Sequence, residues 1–164
     1  MPEHLQGVLY TAVAVVEGGR EDHGRSLDGR LDADLSAPES MGGSGGSGTN
    51  PAELFAVGYA AYFQSPPSPV ATGRRLDASG SRITSLVDIG PTGHGGFGLT
   101  VAPDLHAPRL TAEQAADVMA GAHQRCPYSN ATRGNIDVEL SVGGMLLPTG
   151  AKLACGIVRS HGSM

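Results

Sequence analysis

Cys126 and Cys155 are the only thiols in the 164 residues. A cysteine does chemistry as its thiolate, which needs a cation or a helix N-terminus beside it. Two cysteines are too few for the disulfide framework of a secreted domain, and no metal-type cysteine spacing is present. His94 and His123 belong to no spaced ligand set, so they read as solvated loop or helix-face histidines. Met41–Thr49 (M-G-G-S-G-G-S-G-T) has the composition of a linker, but the 40 residues before it are too few for a secure domain. A phosphate cradle would need a G-K-[ST] ending and a strand-to-helix context, neither of which is there. The loop reads instead as a tight approach of backbone to a helix start. Thr49 or Asn50 caps that helix, with Pro51 at its first position and Glu53 in its first turn.

The helix predicted over 51–64 (P-A-E-L-F-A-V-G-Y-A-A-Y-F-Q) is apolar enough to require burial, and the Ser65-Pro66-Pro67-Ser68-Pro69 run ends it. Before it, Val8–Val16 is rich in β-branched residues and reads as a strand, turned by Gly18-Gly19-Arg20. Ser26–Asp28 and Leu31–Leu35 read as short strands around Gly29, giving an antiparallel meander. Beyond the prolines, Ala71–Ser81 is a polar loop. Arg82–Ile89 and Gly96–Val101 are strands of a hairpin closed by Gly90–Gly95. Thr111–Arg125 is a second helix, opened by a Thr111/Gln114 capping box, with Ala115, Val118, Met119 and Ala122 on one face and Pro127 as its stop. Asn135–Val142 alternates as a strand, and Gly143–Met164 is a C-terminal extension with an apolar part at Leu153–Val158. The order of strands, helix, strands, helix, strand predicts an α+β fold in one domain over 1–142.

Apolar residues make up 40% of the chain, aromatics 4%, and tryptophan is absent, so the predicted core rests on Leu, Val, Ile and Ala. The net charge of −5 and the lack of a basic stripe exclude a nucleic-acid partner. No segment approaches a membrane span, and Met1-Pro2-Glu3-His4 lacks the basic and apolar regions of a signal peptide. The expectation is a soluble cytoplasmic protein without a cofactor or metal.

Three segments resemble the organic hydroperoxide resistance (Ohr) branch of the OsmC/Ohr family. They are Leu9-Tyr10-Thr11-Ala12 with Gly18-Gly19-Arg20, then Gly42–Tyr59 (G-G-S-G-G-S-G-T-N-P-A-E-L-F-A-V-G-Y), then Cys126–Asp137 (C-P-Y-S-N-A-T-R-G-N-I-D). The resemblance runs over about residues 8–142 and stops short of the C-terminal extension. It implies an intertwined homodimer of α+β subunits around a buried central helix, with active sites at the subunit interface. It further implies reduction of organic hydroperoxides by a peroxidatic and a resolving cysteine, assisted by an arginine and a glutamate and recycled by dithiols. Carried over by position, the arginine is Arg20 and the resolving cysteine is Cys126. The family's G-Y-S-A-C-F pattern puts the peroxidatic cysteine at position 62, which is Tyr62, and its N-P-E pattern puts the glutamate at position 52, which is Ala52.

These two positions decide the expected chemistry. A phenol ionises near pH 10, is a poor nucleophile at neutral pH, and forms no sulfenic acid. Glu53 does not replace Ala52, because at about 100° per residue it points roughly 180° from position 62, whereas position 52 lies about 80° away. Cys126 falls at a helix end, where the dipole disfavours an anion, with Arg125 and Arg20 as offsets. Tyr62 reads either as a plug in a dead site or as a hydrogen-bond donor or acid paired with Arg20, and Arg20 otherwise as a plain salt-bridge residue. Tyr128 and Arg133 order the segment after the helix. The expected site is Tyr62, Arg20 and Cys126, with Phe55, Tyr59, Phe63 and Tyr128 lining an apolar ligand pocket. Three functions are open. The first is non-redox conversion of a hydrophobic small molecule, of cyclase, isomerase or dehydratase type, in secondary metabolism. The second is silent ligand binding or partnership with an active paralogue. The third is residual hydroperoxide reduction through Cys126.

Overall fold

The computed structural model describes residues 4–64 and 76–148. The Ser65–Pro69 break, Leu153–Val158 and Cys155 lie outside the described residues. The chain divides after Leu54 into two compact units.

The N-terminal unit is built on a three-stranded antiparallel meander, β1 (Ala14–Glu17), β2 (His23–Ser26) and β3 (Asp32–Asp34), as the alternation of apolar and acidic residues predicts. β1 is shorter than the predicted Val8–Val16, because among the described residues its ladder runs from Ala14, which faces Ser26, to Glu17, which faces His23. β2 lies earlier than predicted. Leu27 and Asp28 belong to the turn, where Asp28 accepts from Ser26 Oγ and the Arg30 amide.

The glycine-rich loop folds back on its own unit. Gly43 packs so closely on Ala37 that a Cβ there would collide with the Ala37 backbone. Gly45 N donates to Ala37 O, Gly46 N to Ser44 Oγ and Gly48 N to Ser36 Oγ. The Glu21 carboxylate takes the Ala37 and Ser44 amides, at 3.2 Å each, and the Ser44 hydroxyl at 2.7 Å. These bonds, the Ser44 hydroxyl foremost, hold the Glu21 carboxyl below the usual carboxylate range. With its amides committed internally, the loop has no open cradle for phosphate.

Helix α1 (Pro51–Phe63) starts as its residues require. Asn50 Oδ1 accepts the Glu53 amide at 2.9 Å, and Thr49 Oγ1 donates to the Glu53 carboxylate at 2.7 Å. Its burial follows a stripe: Tyr59 and Phe63 are covered, while Val57 is 69% and Tyr62 46% exposed.

In the C-terminal unit, β4 (Arg82–Pro91) and β5 (Phe97–His106) form the hairpin, closed by Thr92 N donating to Gly96 O. Both strands outrun their predicted ends. Pro103, which suggests a break, sits in β5 opposite Ser85. The cost of Pro103 falls on the other side of β5. Val101 exchanges bonds with Asp137 and Glu139, and Asp104–Leu105 pair in parallel with β6 (Ser141–Val142), but Pro103 between them has no N–H to give. The predicted strand Asn135–Val142 is therefore split into a single bridge at Val138 and the short β6. Met145–Leu146, predicted as part of the extension, returns as β7 against β6.

Helix α2 (Ala112–Arg125) carries the predicted capping box, with Gln114 N donating to Thr111 Oγ1 at 3.1 Å and Thr111 N to Gln114 Oε1 at 3.0 Å. Ala115, Met119 and Ala122 are buried as predicted, and Ala116 joins them. Pro127 ends α2 and also begins a six-residue helix, α3 (Pro127–Thr132). The core of this unit gathers Tyr59, Phe63, Val101, Leu105, Met119, Cys126 and Leu140. The aliphatic core expected from composition is thus corrected. Five of the seven aromatics lie on α1 and α3, and Tyr59 and Phe63 are among the largest fully buried side chains.

Candidate functional site

Helix spacing and one close approach assemble the site in the C-terminal unit. Phe55, Tyr59, Tyr62 and Phe63 project from α1, and Tyr128 comes from the first turn of α3. Tyr128 reaches α1 because position 58 is glycine: a Cβ there would stand 3.1 Å from the Tyr128 ring and its hydroxyl. The Tyr128 ring stacks on Phe55 with centroids 5.5 Å apart and planes at 7°, and meets Tyr62 edge-on at 5.1 Å. Tyr59 touches Phe55, Phe63 and Tyr128 at 5.8, 5.3 and 5.8 Å. The five predicted aromatic residues therefore form one connected cluster, with Tyr62 as its exposed member.

Beneath the rings lies a polar layer that the sequence does not announce. Tyr59 Oη is 2.7 Å from Ser129 Oγ, which is 2.9 Å from His123 Nδ1. Arg133 fixes the far side, donating to the His123 carbonyl at 2.8 Å and to Asn130 Oδ1 at 2.9 Å, so its predicted ordering role holds. His123 is corrected from a solvated histidine to a half-buried one in a network. Its proximity to Ser129 is invisible to helical spacing because the chain turns at Pro127 between them. Burial, reinforced by the Arg133 charge, lowers the His123 pKa.

Cys126 is 3% exposed and is the one free cysteine among the described residues. Its position differs from a simple helix end. It caps α2 at the C-terminus and α3 at the N-terminus, and its Sγ accepts the Ser129 amide at 3.4 Å.

Arg20 belongs to the N-terminal unit, on the one-turn 3-10 helix Gly19–Glu21 that follows β1. It is exposed and makes no ion pair among the described residues, and its charge is one of the smaller causes that lower the neighbouring Glu21 carboxyl. Ala52 sits in the first turn of α1, where the neighbouring Glu53 carboxylate accepts from Thr49 Oγ1 and the Glu53 amide donates to Asn50 Oδ1. Among the described residues, no group of three His, Cys, Asp or Glu side chains is placed to hold a metal ion.

Known proteins match this chain along most of its length. The model of the OsmC-like protein family matches residues 43–141. The organic hydroperoxide resistance protein of Xanthomonas axonopodis pv. citri is 48% identical over 136 residues, covering 82% of this chain and 95% of that protein. OhrB of Bacillus subtilis is 39% identical over 135 residues, covering 82% and 98%. Among solved structures, a Vibrio cholerae protein assigned to organic hydroperoxide resistance, with captopril bound in one of its active sites, superposes with a TM-score of 0.78. It shares 45% identity and covers 87% of this chain and 97% of that one. The crystal structure of B. subtilis OhrB superposes with a TM-score of 0.71 at 39% identity, covering 82% and 99%. With its α+β architecture, its matched family model and relatives this similar, the chain belongs to the OsmC/Ohr family.

Proposed function

We propose that this protein keeps the Ohr scaffold and its apolar ligand site but does not run the two-cysteine peroxidase cycle. The observation that carries this reading is the side chain at position 62. It is a tyrosine, 46% exposed and packed edge-on against Tyr128, where the family resemblance puts the peroxidatic thiol. A phenol attacking a peroxide oxygen has no sulfenic-acid stage and leaves a resolving thiol nothing to resolve. Ala52, where the resemblance puts a carboxylate, supports the same reading.

The proposed activity is binding, and non-redox conversion, of a hydrophobic small molecule at the Phe55, Tyr59, Tyr62, Phe63 and Tyr128 rings. Tyr62 supplies a proton or hydrogen bond. Captopril in an active site of the V. cholerae relative supports a site of this kind that accepts small organic molecules. The proposed working form is a homodimer. Its support is the run of exposed apolar side chains at Val8, Leu9, Tyr10, Val15 and Val16, far more than an edge strand keeps bare.

A second reading has its own support: the relatives' names favour hydroperoxide reduction, here through Cys126. Its burial at 3% exposure argues against direct attack by that sulfur. Cumene hydroperoxide or a fatty-acid hydroperoxide, supplied with a dithiol, separates the two. No turnover above the protein-free rate is expected. Turnover that disappears in Cys126→Ser favours the second reading and overturns the first.

A further inference from the structure

The buried polar layer under the aromatic cluster has a direction. Tyr59 and Ser129 are both 0% exposed, so their hydroxyl protons need protein partners. Ser129 Oγ stands between Tyr59 Oη at 2.7 Å and His123 Nδ1 at 2.9 Å. Thr132 Oγ1 is 3.5 Å from Tyr59 Oη and can donate to the Ser129 carbonyl at 3.3 Å. A serine hydroxyl carries one proton and two acceptor lone pairs; among the described residues Ser129 Oγ is bonded to Tyr59 and His123 and to no third group, so its proton goes to one of these two and it accepts from the other. In one sense, Tyr59 donates to Ser129 and Ser129 donates to an unprotonated Nδ1. In the other, Nδ1–H donates to Ser129, Ser129 donates to Tyr59, and the Tyr59 proton is left with Thr132 at the limit of hydrogen-bond length. The first sense satisfies both buried hydroxyls with short bonds. The second leaves one of them poorly served.

We propose that Tyr59, Ser129 and His123 form a protonation-sensitive relay. Neutral His123, in its Nε2–H tautomer, draws the hydrogen bonds toward itself. Protonation of His123 makes Nδ1 a donor, reverses both bonds and turns the Tyr59 hydroxyl from Ser129 to Thr132. The groups around His123 suit this role. Arg133, after α3, bonds the His123 carbonyl, and its charge opposes a second cation on the ring. From α1, Phe63 lies against the imidazole at 6.2 Å and brings no charge. From α3, Ser129 is the contact, and the Cys126 sulfur is occupied by the Ser129 amide. On its own helix the ionisable residue nearest in sequence is Arg125, and among the described residues no carboxylate raises the affinity of His123 for a proton. Because the Tyr59 ring touches Phe55, Phe63 and Tyr128, the reversal changes polarity at the floor of the aromatic cluster. The relay stands on these contacts alone and holds whether or not a ligand is converted above it.

Nitrogen-15 NMR of the histidine rings tests it, with His123→Gln to assign the resonances. At pH 7.5 the unprotonated ring nitrogen of His123 is expected to be Nδ1. Thr132→Val removes the fallback acceptor of the reversed state without touching the imidazole. It is expected to lower the His123 titration midpoint by roughly half a pH unit and to leave the pH 7.5 tautomer unchanged. Ser129→Ala is expected to abolish the tautomer preference. A protonated Nδ1 in the wild-type protein at pH 7.5, or an unmoved midpoint in Thr132→Val, overturns the proposal. The wild-type spectrum decides the first point even if a variant fails to fold.

Discussion

At the scale of single residues, His23 and His123 shift in opposite directions. His23 bridges Asp32 and Asp34, at 2.8 and 3.0 Å. Its pKa is raised, chiefly by the hydrogen bond to Asp34 and then by the two aspartate charges. The stability this pair contributes is present below the ordinary histidine value of 6.5 and is lost as pH rises through the raised native value. Asp34→Asn should therefore flatten the decline in stability above pH 6.5, read by thermal melts across pH. His123 has the reverse sign. Its depressed value means stability is full above 6.5 and falls as pH drops toward the native pKa, so His123→Gln should weaken the acid-side loss. Ser85 gives a third prediction. Its hydroxyl is buried with no partner among the described residues, so Ser85→Ala should leave the protein as stable or more stable by about 1 kcal/mol in denaturant unfolding.

At the scale of elements, local chemistry was readable and non-local chemistry was not. The α2 start followed from Thr111 and Gln114 three residues apart, because a capping box is made by its own few residues. Thr111→Ala should cost about 1 kcal/mol, measured by denaturant unfolding. The α1 start and the β4–β5 hairpin were legible for the same reason. Asn135–Val142 alternates as a strand should, yet its pairing is broken by Pro103 more than thirty residues earlier, and periodicity within the segment carries no trace of that. The site divides the same way. The four rings of α1 fall at spacings that a helix brings together, and Tyr128 was placed by resemblance. The contact between Ser129 and His123 is not legible in the sequence, because the turn at Pro127, not the helical repeat, joins them.

At the scale of the whole molecule, membership of the OsmC/Ohr family was legible from three separated motifs, and the matched relatives bear it out. Family and activity are different claims, since the same scaffold can carry different site chemistry. The homodimer proposed for this chain is checked by light scattering, where a mass near twice 16.7 kDa is expected. No helix among the described residues is long and apolar enough to cross a membrane. The central claim is that residues 62 and 52 separate this protein from the peroxidase cycle. The direct measurement is dithiol-dependent reduction of an organic hydroperoxide by the wild-type protein beside Tyr62→Cys/Ala52→Glu. The account predicts a rate at background for the wild type and a clear gain for the double variant. Sustained turnover by the wild-type protein, with Tyr62 in place, would contradict it.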